Sequence, residues 1–194
     1  MPYVNCPRCE LRTYCVAGER CPRCDAELLP ASEPTVGGPD ITGVANARRR
    51  SAQTVRHSLA IAARELGMDA AVLGEVLSGE EVVRWAAGST DGFGLAEGVR
   101  APLEETYCRH LLEGRLDAAV PDARSHPLVG RLATTETMRI GAYIGVSLTT
   151  DDARLYVLCC LSHERQPALG EREVAFLRGL AESIRHQLNG TPRG

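Results

Sequence analysis

The 194-residue chain contains no lysine, since all 22 of its basic residues are arginine. Aromatic side chains make up only 4% of the residues, and the formal net charge is -3. A slightly acidic chain of this kind has no general attraction to nucleic acids or to anionic membranes. The composition therefore excludes proteins that bind polyanions through an overall positive charge.

Long apolar segments are also missing. The longest uninterrupted run, residues 155–161, is far shorter than the about 20 residues that a membrane-spanning helix needs. The N-terminus lacks the basic start and apolar core of a signal peptide. We therefore expect a cytoplasmic protein without membrane association, in which the eight cysteines stay reduced. In that compartment, cysteines serve as metal ligands or core residues more often than as disulfides.

The sequence divides into three segments of different composition. Residues 1–30 hold five of the eight cysteines. Residues 31–45 are rich in Pro, Gly, Ser and Thr, which is typical of a linker. Residues 46–190 carry helical and strand periodicities that predict one folded domain.

Hydrophobic periodicity predicts the elements of this domain. Apolar residues at steps of three and four predict a first helix over 46–68 and a last helix over 170–188. Residues 69–87 predict a hairpin with a Ser78-Gly79 turn. This order predicts an α/β fold of the α+β type, with a central antiparallel sheet and flanking helices. The remaining predicted elements are a glycine-rich loop over 88–100, a helix over 103–112, a strand over 118–120, a polar connection over 122–139 and strands over 140–148 and 154–162.

Two CxxC motifs lie near the N-terminus, formed by Cys6 with Cys9 and by Cys21 with Cys24, and eleven residues separate them. Zn²⁺ takes four thiolates in a tetrahedron at about 2.3 Å, and two CxxC turns joined by a hairpin supply them. So short a module has too small an apolar core to fold alone, and the metal would supply its folding energy. The pattern predicts a structural zinc ribbon over residues 1–30, with Cys15 as a packing or surface thiol.

The charge of this module argues against nucleic acid. Within residues 1–30, four arginines are balanced by four acidic residues. Four ionised thiolates around Zn²⁺ add about two negative charges, which is the wrong sign for binding phosphate. We therefore predict a structural or protein-docking role for the module.

The third segment resembles the GAF domain in three stretches of its sequence. These are 105–109 (ETYCR), 119–127 (AVPDARSHP), and 140–148 (IGAYIGVSL) together with 155–162 (LYVLCCLS). The set is similar to bacterial GAF sensor domains that occur alongside cyclic-di-GMP-turnover domains. The resemblance implies an antiparallel sheet with a ligand pocket on one face. The first and last helices would pack on the other face and form a homodimer.

The resemblance also implies which residues surround the ligand. They lie on a helix beside the pocket, on the loop that covers it and on the strands of its floor. The implied pocket residues are Tyr107, Cys108 and Arg109 on the helix, Asp122 and His126 on the loop, and Tyr143, Ser147 and Cys160 on the strands.

No acid–base pair, activated nucleophile or output domain is recognisable in the sequence. We therefore predict a non-catalytic regulatory sensor that binds a small organic molecule of unspecified identity, or a partner, and passes the signal to a signalling protein. Two alternatives stay open. One is a thiol-based redox enzyme or sensor that uses Cys108, Cys159 and Cys160, as the GAF-fold free methionine sulfoxide reductases use cysteines in a different pattern. The other is a protein-interaction adaptor without a ligand.

Overall fold

The computed structural model describes residues 3–5, 12–14 and 41–189. The chain divides into two compact units, residues 1–40 and 41–194. In the first unit, strands β1 (Tyr3–Asn5) and β2 (Arg12–Tyr14) form an antiparallel pair. The zinc ligands predicted from the sequence, Cys6, Cys9, Cys21 and Cys24, lie outside the described residues.

The second unit is built on a six-stranded sheet in which all neighbouring strands are antiparallel. The strand order is β5-β4-β3-β8-β7-β6. This confirms the α+β prediction with its central antiparallel sheet and flanking helices. The strands are β3 (Ala70–Leu77), β4 (Glu80–Gly88), β5 (Arg100–Pro102), β6 (Ala119–Val120), β7 (Ala142–Thr149) and β8 (Leu155–Ser162). The helices are α1 (Ile41–Glu65), α2 (Tyr107–Leu112), α3 (Ala133–Thr137) and α4 (Glu171–Asn189).

The sheet separates two apolar cores, because alternate side chains of a strand point to opposite faces. On β8, Tyr156, Leu158 and Cys160 belong to the core that α1 and α4 cover. The intervening Val157 and Cys159 belong to the second core, under α2 and the long loops. Both faces of the central strand are thus buried, which is why its sequence is apolar without alternation.

Helix α4 follows its predicted pattern closely. Its residues Val174, Leu177, Ala181 and Ile184 recur at three- and four-residue steps and are all buried against the sheet and α1. Phe176 lies beside this stripe and is 38% exposed. The helix therefore buries one narrow face and presents a large apolar side chain outside it.

Helix α1 differs from its prediction at both ends. It begins at Ile41, so that residues 41–45 of the predicted linker are helical. The one glycine in this stretch, Gly43, does not prevent a helix, because a single glycine costs only about 1 kcal/mol inside a helix. It ends at Glu65 because Gly67 adopts a positive φ of 63°. The amide of Met68 then donates to the carbonyl of Ala63 at 2.8 Å, which closes the helix in a Schellman-type cap.

Three connecting segments contain more structure than the sequence predicts. The glycine-rich loop includes a 3-10 turn at Thr90–Phe93, and the predicted helix 103–112 is a 3-10 turn, Leu103–Glu105, followed by α2. The polar connection contains another such turn, Val129–Arg131, and α3. Helix α2 thus lies within the predicted helix, whereas the 3-10 turns and α3 are too short for a periodicity to be recognised, since each spans less than two helical turns.

A β-bulge at Arg84 interrupts the pairing of β4 with β3. The register between β3 and β4 shifts after Leu73, and Arg84 has no partner residue in the ladder. Arg84 contacts the carboxylate of Glu75, and Arg154 on the opposite side donates to Glu75 at 2.6 Å. The Glu75 side chain is buried, so that both of its charge partners reach it from the surface.

Among the described residues, every helix is too short or too polar to span a bilayer.

Candidate functional site

A cavity of about 320 Å³ lies on the sheet face opposite α1 and α4. Strands β3, β4, β7 and β8 form its floor, and its walls come from residues 95–108 and 133–140. Small-molecule sites occupy about 300–1,000 Å³, so this cavity suits a small ligand. Its lining residues are Val72, Glu81, Val83, Leu95, Val99, Ala101, Glu105, Thr106, Tyr107, Cys108, Ala133, Thr134, Thr137, Met138, Ile140, Tyr143, Cys159 and Leu161.

A buried carboxyl group, that of Glu81, lies in this mostly apolar lining. Glu81 is only 9% exposed. A side chain at Gly74, the neighbouring position on β3, would collide with the Glu81 carboxyl, so that glycine provides the space for it. Burial raises the pKa of Glu81, and the neighbouring polar groups of Cys108 and Thr106 oppose this rise.

Two thiols and a phenol complete the polar cluster around Glu81. The Cys108 sulfur lies 3.7 Å from the Tyr143 hydroxyl and within hydrogen-bonding reach of Cys159. The hydrogen bond with Cys159, together with burial, raises the pKa of Cys108 well above its usual range. Burial does the same for Tyr143. Cys108 and Tyr143 therefore favour their protonated, neutral forms, and Cys108 is not an activated thiolate.

A hydrogen-bond chain joins α2 to α3 across one wall of the cavity. The Thr135 hydroxyl donates to the Val129 carbonyl, so the Tyr107 hydroxyl must donate to Thr135. The Tyr107 ring packs against Tyr143 with centroids 5.1 Å apart. Thr106 caps α2 by accepting from the amide of Arg109 at 3.4 Å. These contacts hold the wall in place without a bound molecule.

We expect the substitution Glu81→Gln to stabilise the domain increasingly as the pH rises. A carboxyl whose pKa is raised by folding contributes fully below its unfolded pKa of about 4.3, and this contribution is lost as pH rises through the folded pKa. Glutamine stays neutral throughout. The difference in melting temperature between the variant and the parent should increase from about pH 4 and level off above the folded pKa of Glu81. Thermal unfolding of both proteins at a series of pH values measures this difference.

The control for this series is Glu105→Gln, which removes an exposed carboxyl at the same cavity. Its effect on the free energy of unfolding should stay within about 0.5 kcal/mol. A constant difference in stability between Glu81→Gln and the parent at every pH would contradict a raised pKa of Glu81 in the folded state.

The structure brings together three of the eight pocket residues implied by the resemblance. Tyr107, Cys108 and Tyr143 all line the cavity. Arg109 follows them on α2 but turns outward, where it donates to Glu113 at 2.9 Å. Each residue of a helix is rotated by about 100° from the one before, so Arg109 points about 200° away from Tyr107 and faces outward.

The loop residues Asp122 and His126 stabilise their own turn instead of lining the cavity. Asp122 accepts from the amide and hydroxyl of Ser125, and these bonds lower the pKa of Asp122. The Nδ1 atom of His126 accepts from the amide of Leu128 at 3.2 Å. Both side chains thus satisfy local backbone donors, as polar residues in turns commonly do.

The two remaining implied residues, Ser147 and Cys160, also lie outside the cavity. Ser147 is exposed near the end of β7. Cys160 is fully buried in the core under α1 and α4, on the other face of the sheet. Its neighbour Cys159 lines the cavity in its place, because the alternation along β8 places only one of the two adjacent cysteines on each face.

Sequence reasoning missed Glu81 and Cys159 as cavity residues. Glu81 lies in an ordinary-looking Glu80-Glu81 pair at the start of a strand, where acidic residues usually face solvent. A usable signal was its step of two from Val83, because both residues share the cavity face of β4. Cys159 and Cys160 are adjacent and chemically identical, so only the strand register selects which of them faces the cavity.

An ion pair connects the cavity loop to α1 around the edge of the sheet. Arg56 on α1 donates two hydrogen bonds to the Glu97 carboxylate, each of 2.6 Å. Glu97 lies between Leu95 and Val99, which both line the cavity. The same loop is hydrogen-bonded to β4 through Gly98 and the Val83 carbonyl at 2.8 Å. A displacement of the loop would therefore act directly on α1.

Within the described residues, no group of three or more His, Cys, Asp or Glu side chains is arranged to hold a metal ion. The described cysteines, Cys108, Cys159 and Cys160, are all buried free thiols.

The six-stranded sheet, its two covering helices and the open cavity on the other face define a ligand-cavity domain of the kind found in sensor proteins. The chain belongs to the GAF domain family, whose family model matches residues 51–188. This confirms the resemblance seen in the sequence.

Solved structures share this fold at low sequence identity. The GAF domain region of a Geobacter sulfurreducens protein is 19% identical, with a TM-score of 0.59 over 75% of this chain and 97% of that one. The blue-light-absorbing PixJ GAF domain of Thermosynechococcus elongatus is 16% identical, with a TM-score of 0.59 over 74% and 88%. The free methionine-R-sulfoxide reductase of Neisseria meningitidis is 18% identical, with a TM-score of 0.56 over 76% and 84%. No match was found among curated protein sequences.

Proposed function

We propose that this chain is a non-catalytic sensor whose cavity binds a small organic molecule. The observation that carries the proposal is the concave, mostly apolar cavity with one buried polar cluster, a combination typical of small-molecule sites. The thiol of Cys108 and the phenol of Tyr143 favour their neutral forms, which suits recognition more than nucleophilic chemistry.

The path of the signal would run from the cavity loop to α1. The ion pair between Arg56 and Glu97 connects the two, and α1 packs against α4 on the far face of the sheet. We propose that these two helices form a homodimer, for which the exposed Phe176 offers an apolar contact. A ligand that shifts the loop would then change the geometry of the dimer and its contact with a signalling protein.

The ion pair gives a testable consequence of this path. Arg56→Gln is expected to weaken the loop by about 1 kcal/mol, because the pair is partly exposed. Amide hydrogen exchange in residues 94–99 should become about fivefold faster, while β8 keeps its protection. The control Arg64→Gln breaks an ion pair elsewhere on α1 and should leave the loop unchanged. Equal exchange rates of residues 94–99 in both variants would contradict a connection between the loop and α1 through this ion pair.

We further propose that Cys6, Cys9, Cys21 and Cys24 bind one structural Zn²⁺, and that the resulting module relays the signal or docks the partner. The support is the paired CxxC spacing. Strands β1 and β2 are paired, and they flank the first CxxC motif in sequence. A protein partner suits the balanced charge of the module better than nucleic acid.

One set of mass measurements tests both parts. Freshly isolated protein is weighed under native and denaturing conditions, and the difference is assigned to metal and organic components. The expected result is one zinc ion per chain, lost on replacing any of the four cysteines by serine, and saturable binding in a metabolite screen. A metal-free, fully folded N-terminal module would overturn the zinc proposal. A cavity that binds nothing in the screen would favour the adaptor alternative.

A thiol redox role is the second candidate, because Cys108 and Cys159 both line the cavity within hydrogen-bonding reach of each other. The two thiols would form a disulfide, and a sulfoxide substrate would be reduced to a thioether and water. The raised pKa of Cys108 opposes this chemistry. Reduction of free methionine sulfoxide that depends on Cys108 and Cys159 but survives Cys160→Ser would establish it. Absence of that activity supports the sensor.

A further inference from the structure

The charges that line the cavity all have one sign. Glu81 on the floor and Glu105 at the mouth are its ionisable acids, and no arginine or histidine is among its described lining residues. The arginines nearest in sequence are directed elsewhere. Arg84 contacts Glu75 on the other face of the sheet, Arg100 pairs with Glu80, and Arg109 pairs with Glu113.

This arrangement leaves Glu81 without a positive partner. Its polar neighbours are the Cys108 thiol and the Thr106 hydroxyl, which carry no charge. A buried carboxylate is costly unless a cation neutralises it. A positively charged ligand would supply that neutralisation from within the cavity.

The size and walls of the cavity limit the rest of the ligand. Val72, Val83 and Leu161 give the floor an apolar surface. A dry apolar cavity of about 150 Å³ accepts benzene, so 320 Å³ holds one ring with a short side chain. Tyr107 and Tyr143, packed against each other, contribute aromatic rings to the lining, and aromatic rings are favourable neighbours for a cation.

We propose that the cavity selects a small amine, consisting of an apolar body of about one ring and one ammonium group bound by the Glu81 carboxylate. This inference rests on the proposed function and specifies its ligand class. It separates this chain from the photoreceptor relatives, one of which holds phycocyanobilin. A linear tetrapyrrole carries two carboxylates, and the two acids of this cavity would repel them.

Calorimetric titration with three matched probes tests the inference. Benzylamine, benzyl alcohol and benzoate share one ring and differ in charge. Benzylamine should bind at least about tenfold more tightly than benzyl alcohol, because hydrogen bonds between charged groups are the stronger ones. Benzoate should not bind. Ala133→Trp, which fills the exposed cavity wall at α3, should abolish binding of every probe.

Two variants test whether the selectivity for benzylamine comes from Glu81 on the cavity floor. Glu81→Gln should remove the advantage of benzylamine and leave benzyl alcohol within about twofold. The matched variant Glu105→Gln removes the same charge at the exposed mouth and should weaken benzylamine by less than about threefold. An equal loss in both variants would overturn the role of Glu81.

Binding should also depend on pH with a defined sign. The ammonium group pairs with ionised Glu81, whose pKa is raised by burial, so benzylamine binds up to about tenfold more weakly per pH unit below that pKa. The other titratable groups facing Glu81 are Cys108, Tyr143 and Cys159 on the surrounding elements, with Glu105 at the mouth. Glu81→Gln should abolish this dependence.

If benzyl alcohol or benzoate binds as tightly as benzylamine, the proposed preference for amines is wrong, although the cavity is still a binding site. No binding of benzylamine would overturn this inference alone. The metabolite screen tests the proposed function without assuming an amine, so the two failures are distinguishable.

Discussion

Replacing Arg84 and Arg154 together by glutamine is expected to lower the free energy of unfolding by about 3–5 kcal/mol. The carboxylate of Glu75 is buried and depends on these two arginines for its charge compensation. Without them, an unpaired charge remains in a low-dielectric core. For a domain of this length, the loss corresponds to a fall of roughly 10 °C in melting temperature, which calorimetry or circular dichroism measures.

Three further variants identify the cause of this loss. Either single arginine replacement should cost less than the double, since one charge partner remains. Adding Glu75→Met to the double variant should restore most of the stability, because an apolar residue of similar volume needs no counter-charge. Arg100→Gln breaks an exposed pair with Glu80 and should cost no more than about 1 kcal/mol. A triple variant as unstable as the double would contradict the explanation.

Leu177→Ala is expected to destabilise the domain by about 2–5 kcal/mol. Leu177 is fully buried where α4 packs on the sheet and α1, and the truncation leaves a cavity that helices and sheet cannot close. Chemical denaturation should show a lower midpoint with an unchanged slope.

The adjacent residue provides the matched control. Phe176→Ala removes a larger side chain that is 38% exposed, and its cost in stability should stay below about 1 kcal/mol. Because Phe176 lies on the proposed dimer surface, the same variant should raise the dimer dissociation constant by about tenfold or more in analytical ultracentrifugation. A Phe176→Ala variant that associates like the parent would remove this residue from the interface.

Much of the fold follows from local patterns in the sequence. The three- and four-residue spacing of Val174, Leu177, Ala181 and Ile184 predicts α4 and its buried face, and the structure confirms both. The apolar runs of β7 and β8 and the turn at Ser78-Gly79 also predict their elements, because the two turn residues adopt the positive φ that a tight hairpin needs. These features depend on residues close in sequence.

The cavity follows from sequence only in part. The family resemblance indicates α2 and the strand pair, and Tyr107, Cys108 and Tyr143 do line the cavity. It does not separate Cys159 from Cys160, and it does not indicate Glu81. Those assignments depend on which face each strand residue takes, which the pairing with neighbouring strands decides.

Local sequence patterns are sufficient to assign the class of the protein: an antiparallel sheet with covering helices in residues 46–190, a family with a ligand cavity, and a cysteine-rich N-terminal segment. The chemistry of the cavity follows from long-range contacts in the folded chain. The β4 register places Glu81 and Val83 on the cavity side, and the alternation along the strand directs Arg84 to Glu75 on the opposite face. Local periodicity reports which residues are buried, whereas the charge balance of a cavity depends on contacts between strands and loops distant in sequence.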